Sequence, residues 1–312
     1  MERDLEKENI MVKILVVGSI NMDLAVRVPN TPKPGQTIIG GDFEIYPGGK
    51  GANQAVAAAR MGAEVTMVGR VGKDNFGDTI IQSLLENQVK TSHVVKDSDA
   101  PTGVAMVAVA PDGENMIVTA PGANAKVSVE DVNRTRTLMR ETDLLLLQLE
   151  LPMETINAAV DLAKAYDIPV VLNPAPGRPL PKALMTYVEV LTPNKRELNL
   201  ITGETDIEEG IKKLRGWGVR NLVITLGHNG VRVISGGLDR HIPAFEITAV
   251  DTTAAGDAFN GAFAVAFAEK RKLMDAIRYG MAAGALTSTK KGAQTSMPMR
   301  DAVESLIRSQ TP

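Results

Sequence analysis

Residues 251–263 combine a carboxylic acid with a run of small residues at the start of an apolar helix. The segment reads Asp-Thr-Thr-Ala-Ala-Gly-Asp-Ala-Phe-Asn-Gly-Ala-Phe, and the apolar pattern continues to residue 268. Backbone N–H groups at a helix N-terminus lack intrahelical partners and attract a phosphoryl group. The residues that would offer them are Ala254, Ala255, Gly256 and Asp257. Asp257 would accept a proton from an attacking hydroxyl, or it is only a first-turn acid that complements the helix dipole.

A glycine-rich stretch at residues 47–55, Pro-Gly-Gly-Lys-Gly-Ala-Asn-Gln-Ala, precedes a second predicted helix. It is not a Walker phosphate loop, because Lys50 is followed by Gly51 and not by Ser or Thr. Residues 18–21 lack the second and third glycines of a dinucleotide fingerprint. What remains is a set of polar side chains suited to a small hydroxylated ligand: Asn21, Asp23, Lys50 and Asn53.

Two shorter polar segments follow later predicted strands. Asn194 and Glu197, in an Asn-x-x-Glu pattern, would lie near a Mg²⁺–phosphate cluster and act through water, since Mg²⁺ keeps few direct protein ligands. The same pattern is common without any function. Residues 225–230, Thr-Leu-Gly-His-Asn-Gly, form a glycine turn that suits nucleotide binding or a hairpin equally well.

An open α/β sheet would position these segments. Apolar runs typical of strands buried on both faces occur at 13–18, 64–68, 144–148, 170–173, 189–192 and 221–225. Helical patterns alternate with them at 53–61, 153–166 and 207–217. The alternation predicts a doubly wound, mostly parallel α/β sheet flanked by helices, with ligands at the carboxyl ends of its strands.

Residues 37–46 and 104–118 interrupt this alternation. The second segment predicts a hairpin, because Pro111-Asp112-Gly113 separates two apolar runs. The two segments would pair as a small β-sheet lid that excludes water from a transferase site, or they are separate surface excursions.

Composition restricts the remaining classes of function. The 312 residues carry a formal net charge of −3 without a basic stripe, so no nucleic-acid partner is expected. The absence of cysteine excludes disulfides and thiolate chemistry, and the three histidines are scattered. Without a membrane span of about 20 apolar residues, and with a charged tail at 1–10 that lacks the apolar core of a signal peptide, we expect a cytoplasmic protein.

In this order, the four segments resemble the ribokinase (PfkB-type) carbohydrate kinase family over residues 13–305. Residues 48–72 are similar to the first signature of the family, residues 251–264 to the second, and Asn194-x-x-Glu197 to its metal–phosphate motif. The resemblance implies one ribokinase-like domain over residues 11–312. Its lid would comprise residues 20–48 and 101–122, and this lid often forms a homodimer contact in the family.

The resemblance also implies roles for individual residues. Asp257 would be the catalytic base and Ala254, Ala255 and Gly256 the anion hole. The sugar pocket would consist of Asn21, Asp23, Gly49, Lys50, Asn53 and Glu150. Mg²⁺ and ATP would be bound around Asn194, Glu197, Thr225, Gly227 and Gly230. A monovalent cation, normally K⁺, would be held by Asp251, Thr253, Thr287, Lys290, Gly292 and Ser296.

The implied reaction is the transfer of the γ-phosphate of ATP to the 5-hydroxyl of ribose. Three alternatives stay open. Another pentose, deoxyribose or nucleoside kinase would share the fold, although an aromatic content of 4% gives a nucleobase few partners. A non-catalytic sugar sensor would lack the base or the anion hole. An NAD-dependent dehydrogenase would carry the missing fingerprint.

Overall fold

A computed structural model describes residues 11–110 and 115–310, so the predicted tail and the predicted turn at 111–113 lie outside the described residues. The strands are β1 Lys13–Val17, β2 Asn21–Arg27, β3 Phe43–Gly48, β4 Glu64–Gly72, β5 Val89–Asp97, β6 Gly103–Val109, β7 Asn115–Ala120, β8 Leu144–Leu147, β9 Val170–Leu172, β10 Val188–Leu191, β11 Asn221–Thr225, β12 Val231–Ser235 and β13 Leu238–Ile242. The α-helices are α1 Lys50–Arg60, α2 Asn75–Glu86, α3 Val129–Asn133, α4 Arg136–Met139, α5 Met153–Ala165, α6 Lys182–Met185, α7 Lys195–Thr202, α8 Ile207–Gly216, α9 Ala255–Ala268, α10 Leu273–Ser288 and α11 Arg300–Ser309.

Nine strands form the central sheet in the order β13-β12-β11-β10-β9-β8-β1-β4-β5. Seven neighbouring strands, β11, β10, β9, β8, β1, β4 and β5, are parallel. Strands β12 and β13 extend the β11 edge in antiparallel pairing. Alternate side chains of β1 enter two cores: Ile14 packs with α1 and α9, and Leu15 with α5 and α8. The predicted doubly wound sheet is therefore confirmed.

The structure corrects several predicted boundaries. Helix α1 begins at Lys50 and not at residue 53, because the chain enters the helix directly from Gly49. The prediction of a strand at 37–46 is wrong over its first half, since only residues from Phe43 onward pair. Strands β2, β5 and β13 were not predicted, because their polar and half-exposed residues lack the continuous apolar runs of the inner strands. Strand β12 is mostly buried but was not predicted, because Arg232 interrupts its short apolar run.

The two interrupting segments form one small sheet with the order β3-β2-β6-β7. Its pairing is mixed, since β2 and β6 are parallel and the other two pairs antiparallel. The outer face carries two rows of directly opposed apolar residues across the four strands. The rows are Ile45–Leu24–Met106–Val118 and Phe43–Val26–Ala108–Met116. We call this face the outer lid face; five of its large side chains are exposed, namely Phe43, Ile45, Met106, Met116 and Val118.

The small sheet joins the central sheet at two adjacent rows of paired residues, which we call the crossing line. Asn21 pairs with both Gly48 and Gly103, and Val104 beside them pairs with Ala120. The buried Asn124 side chain fastens this crossing line: it donates to the Asn21 side chain at 2.7 Å and to the Ile20 carbonyl at 3.0 Å. In the described part of the chain, no helix is both long and apolar enough to span a membrane.

Candidate active site

Asp257 lies in the first turn of α9 and is 8% exposed. The helix starts from Ala254, whose left-handed backbone (φ 57°) is uncommon for a residue with a side chain and turns the chain sharply into the helix. The first-turn N–H groups have no intrahelical partner. A Cβ built on the exposed Gly256 would meet nothing within 4 Å, so the space beside these groups is open to a ligand. The predicted anion hole is therefore sterically accessible.

The acid contacts the glycine-rich stretch directly. Asn53 Nδ2 donates to Asp257 Oδ2 at 2.9 Å, and Gln54 Nε2 donates to Oδ1 at 3.0 Å, across separations of 204 and 203 residues. Helices α1 and α9 pack against each other and make this contact possible. Two distant sequence motifs thus form one site.

Three further predicted residues lie around this pair. Lys50 is largely buried, and burial opposes its charge. The carboxylates of Asp257, Glu150 and others nevertheless hold the pKa of Lys50 above its ordinary value. Burial, reinforced by Glu150 and Asp257, raises the pKa of Asp23 to about 7, despite the opposing charge of Lys50. The site is therefore a compact group of coupled charges.

Gly49 is required at the turn into α1. Its φ is 88°, and a Cβ there would lie 2.6 Å from the Asn21 backbone nitrogen. The close approach lets the backbone N–H of Lys50 point toward Glu150 Oε2 at 3.5 Å, while Ser19 Oγ donates to the same carboxylate oxygen at 2.5 Å. Glycine here brings the ends of β1 and β3 together with the end of β8.

Asn194 and Glu197 form a capping box at the start of α7. The Asn194 side chain accepts from the Glu197 N–H and the Glu197 carboxylate accepts from the Asn194 N–H, both at 2.8 Å. This is sufficient structural reason for the Asn-x-x-Glu pattern. Glu197 nevertheless interacts electrostatically with Lys50 and Asp257, and burial raises its pKa. Its oxygen donors face the same site and fit a water-mediated Mg²⁺.

The predicted nucleotide turn follows the neighbouring strand. Thr225 at the end of β11 forms a bridge with Asn194. The chain then makes a short 3-10 turn at Gly227–Asn229, and both Gly227 and Gly230 have positive φ. The turn leads into β12, which pairs antiparallel with β11, so the hairpin interpretation is correct. Of the three predicted nucleotide-binding residues, Thr225 lies next to Asn194.

The residues predicted to hold a cation lie on the loop before α9, in the last turn of α10 and on the loop after α10, and the two loops contact each other. Asp251 accepts from the N–H groups of Gly292 at 3.0 Å and Thr253 at 2.9 Å. Burial opposes the charge of Asp251, but these hydrogen bonds outweigh it and lower its pKa. Ser296 Oγ donates to the Gly292 carbonyl at 2.7 Å.

Two features of these loops suit a hard monovalent cation. The donor set contains only oxygen atoms, and the buried hydroxyl of Thr287 has no hydrogen-bond partner. Lys290 lies in the turn that follows Thr287, since its N–H donates to the Thr287 carbonyl. Within the described residues, no cluster of three or more His, Cys, Asp or Glu could hold a metal ion by side chains alone.

A cleft of about 360 Å³ separates the small sheet from these loops. Asp23, Tyr46 and Val107 line it from the sheet, and Asp251 and Thr253 from the opposite side. The cleft is large enough for a small polar ligand beneath the lid.

Sequence reasoning missed the buried amides that support the site. Gln54, Gln148, Asn124 and Gln294 are each at most 4% exposed and belong to the hydrogen-bond network of the site. Gln54 gave one usable signal, since a long amide in the Ala-rich helix α1 has to find polar partners. The others depend on contacts between distant segments.

The sequence and the fold are both similar to those of known carbohydrate kinases. The model of the pfkB family of carbohydrate kinases matches residues 11–300. The ribokinase of Haemophilus influenzae is 41% identical over 92% of this chain and 95% of that enzyme. The ribokinase of Bacillus subtilis is 40% identical over 95% of this chain and 100% of that enzyme. The Arabidopsis thaliana ribokinase structure complexed with ribose and ATP has a TM-score of 0.86 at 32% identity, covering 96% of this chain and 99% of that one.

Proposed function

The chain belongs to the pfkB family of carbohydrate kinases, and on that premise we propose that it transfers the γ-phosphate of ATP to the 5-hydroxyl of D-ribose. Its nearly full-length similarity to ribokinases supports this activity. The observation that carries the proposal is the 2.9 Å contact between Asn53 and Asp257, which joins the polar glycine-rich stretch to the acid at the anion hole. Such a site can hold a hydroxyl between a base and a phosphate.

The sugar would bind between the central sheet and the small sheet. Its hydroxyls would meet the side chains of Asn21, Asp23, Lys50, Asn53 and Glu150. The carboxylates accept hydrogen bonds from sugar hydroxyls, while Lys50 and the amides donate to sugar oxygens. The remaining hydroxyl, the 5-hydroxyl, would lie against Asp257 and transfer its proton to that carboxylate as its oxygen bonds to the γ-phosphorus. The bond from the γ-phosphorus to the β–γ bridging oxygen of ATP would break in the same step, and ADP would leave.

The phosphoryl group would be stabilised from the other side. The N–H groups at the start of α9 face the position where negative charge is transferred, and this kind of preorganised donor supplies much of the rate in phosphoryl transfer. Asn194 and Glu197 would hold Mg²⁺ through water, and a bound Mg²⁺ would neutralise charge on the ATP phosphates. Thr225, Gly227 and Gly230 would contact ATP. We also propose a cytoplasmic location, where ATP is available.

ADP release with Mg²⁺ and K⁺ tests the activity. The acceptors to compare are D-ribose, 2-deoxyribose, fructose, adenosine and water alone. Selective turnover of ribose is expected, because polar side chains built to bind a hydroxyl are left unpaired by the analogue that lacks it. Selective turnover of another sugar would refute ribose as the substrate but retain the kinase. A lack of turnover with every acceptor would refute the enzyme and favour a sugar sensor.

The cation loops predict dependence on a monovalent ion. We propose that oxygens of Asp251, Thr253, Thr287, Lys290, Gly292 and Ser296 bind K⁺. Exchange of K⁺ for Li⁺ at constant ionic strength is expected to lower kcat, because the smaller ion cannot contact this fixed set of oxygens at once. Steady-state rates in the two salts provide the measurement. Equal rates would contradict the site, and Na⁺ serves as an ion of intermediate size.

The outer lid face supports a homodimer formed with a second copy of this chain. Its two opposed rows would be buried by the same rows of the second copy, as a twofold interface requires. Met106→Lys is expected to shift the protein from dimer to monomer, because it places a charge in the centre of this face. Analytical ultracentrifugation measures the change. Leu85→Lys on α2, equally exposed at 50%, is the matched control; a parent protein that is already monomeric would refute the interface.

A further inference from the structure

A buried cluster of amides lies next to Asp257. Gln54 and Gln148 are fully buried and Asn173 is 7% exposed. They come from α1 and from the ends of β8 and β9. Gln54 Nε2 donates to Asp257 Oδ1 and to Asn173 Oδ1, in each case at 3.0 Å. Because Gln54 has no accessible surface, it cannot contact sugar or ATP, so its effect on the reaction has to pass through Asp257.

The orientation of the Gln54 amide is fixed from behind. Gln148 Nε2 donates to Gln54 Oε1 at 2.7 Å, so the oxygen of Gln54 is held away from Asp257. Asn173 in turn donates to the Thr192 carbonyl at 3.2 Å, which keeps its own oxygen toward Gln54. A reversed Gln54 amide would set its oxygen against the Asp257 carboxylate and its NH₂ against that of Gln148. Only one orientation satisfies the neighbours.

The fold retains this orientation at a cost. Gln148 Oε1 is buried without a hydrogen-bond partner. It lies so close to Gly18 that a Cβ there would be 2.1 Å away, so any larger residue at position 18 would displace it. A buried unpaired oxygen is unfavourable. Its retention next to the Gln54–Asp257 contact indicates that the orientation of these hydrogen-bonded amides matters for more than packing.

We propose that Gln54, oriented by Gln148, is a positioning residue for the catalytic base: it holds one carboxylate oxygen of Asp257 so that the other lone pairs face the attacking hydroxyl. The inference rests on the proposed role of Asp257. Asn53 donates to the second oxygen. Together the two amide donors restrict rotation of the carboxylate.

Other ionisable groups also face Asp257, and any pH profile reports on all of them. Lys50 on α1, Asp23 on β2 and Glu197 on α7 each interact with it electrostatically. Gln54 adds no charge to this set. The difference between the parent enzyme and a neutral variant at position 54 therefore reports the loss of the Gln54 hydrogen bonds without a change in charge.

Gln54→Met tests the proposal, since methionine is of similar shape and removes the donor. We expect kcat to fall about tenfold, because Asp257 loses a hydrogen bond donated by the amide. KM for ribose and ATP should change less than about twofold, because this hydrogen bond lies outside the substrate contacts. The acidic limb of the kcat profile should move to higher pH, because the charged carboxylate loses a donor. Gln54→Glu should move it further, since two adjacent acids cannot both ionise easily.

Gln82→Met is the matched control, because the Gln82 amide also donates to a carboxylate at 3.0 Å, that of Glu86, but on the surface. If Gln54→Met does not fold, Gln148→Met keeps the donor and removes only its support, and a smaller shift in the same direction is expected. An unchanged kcat profile in every folded variant, or a loss confined to KM, would overturn the inference. Full activity of Asp257→Asn would instead refute the base itself, so the two failures are distinguishable.

Discussion

Replacing Asp257 by asparagine is expected to lower kcat by about 10²–10⁴-fold, the usual contribution of a general base. The folded structure should tolerate the change. Gln54 can still donate to the remaining oxygen. The new NH₂ would meet Asn53, whose amide can reverse because its oxygen accepts only a long hydrogen bond, 3.2 Å, from the Gln294 side chain in the described part of the chain. The loss is therefore one of chemistry and not of packing.

Initial rates at saturating ribose and ATP measure this effect, and thermal unfolding checks the fold. Asp275→Asn is the matched control, because Asp275 is also an acid in the first turn of a helix, α10, but is exposed. If both variants lose equally little activity, Asp257 is only a helix-stabilising acid. A large loss at Asp257 alone supports its role as the base.

Replacing Asp23 by asparagine is expected to raise KM for ribose by about 10²-fold with kcat changed only a few-fold. The ionised carboxylate would accept hydrogen bonds from two sugar hydroxyls, and hydrogen bonds to a charged group contribute about 1.5–3 kcal/mol each. The pKa of about 7 adds a pH dependence. KM of the parent enzyme should fall as pH rises from 6 to 8 and Asp23 ionises, whereas the variant should show little change.

Stability of the ligand-free protein provides an independent readout. The folded pKa of Asp23 is raised from 3.8 to about 7. Its contribution to the free energy of unfolding is therefore present below pH 3.8 and is lost as pH rises through 7. Asp23→Asn should consequently be more stable than the parent at pH 8, with a smaller advantage at pH 5, in urea unfolding. Asp42→Asn removes an exposed acid that lines the same cleft. It should leave KM for ribose unchanged and show the same difference in stability between pH 5 and pH 8 as the parent protein. Equal behaviour of Asp42→Asn and Asp23→Asn would contradict the prediction.

The inner sheet could be predicted from the sequence because its strands are buried on both faces and show continuous apolar runs, as in Leu144–Leu147. Strand β13 has the burial pattern of an exposed edge, and its Leu-Asp-Arg-His-Ile sequence gives no such signal. The small sheet was only partly predictable. Its β2–β6 pairing joins residues about 80 positions apart, and no local pattern specifies such a partner.

The candidate site shows the same division. Asp257 and the glycine stretch carry local signals, since helix starts and tight turns depend on nearby residues. The buried amides do not, because Gln148 and Gln54 acquire their meaning only when β8 and α1 pack together. Asn194 and Glu197 show the opposite problem: a strong local pattern has a complete structural explanation as a capping box, and only its placement near Lys50 indicates a further role.

The crossing line between the two sheets gives the lid the mechanics of a lever. Strand β2 has seven residues and is about 23 Å long at about 3.3 Å per residue. A rotation of about 10° at Asn21 would thus displace the far end by about 4 Å while the end near Asn21, proposed to bind the sugar, hardly moves. A motion too small to detect at the ligand would be amplified at the lid tip. Because the natural chain has no cysteine, a single one introduced at that tip could carry a spectroscopic label without competing sites.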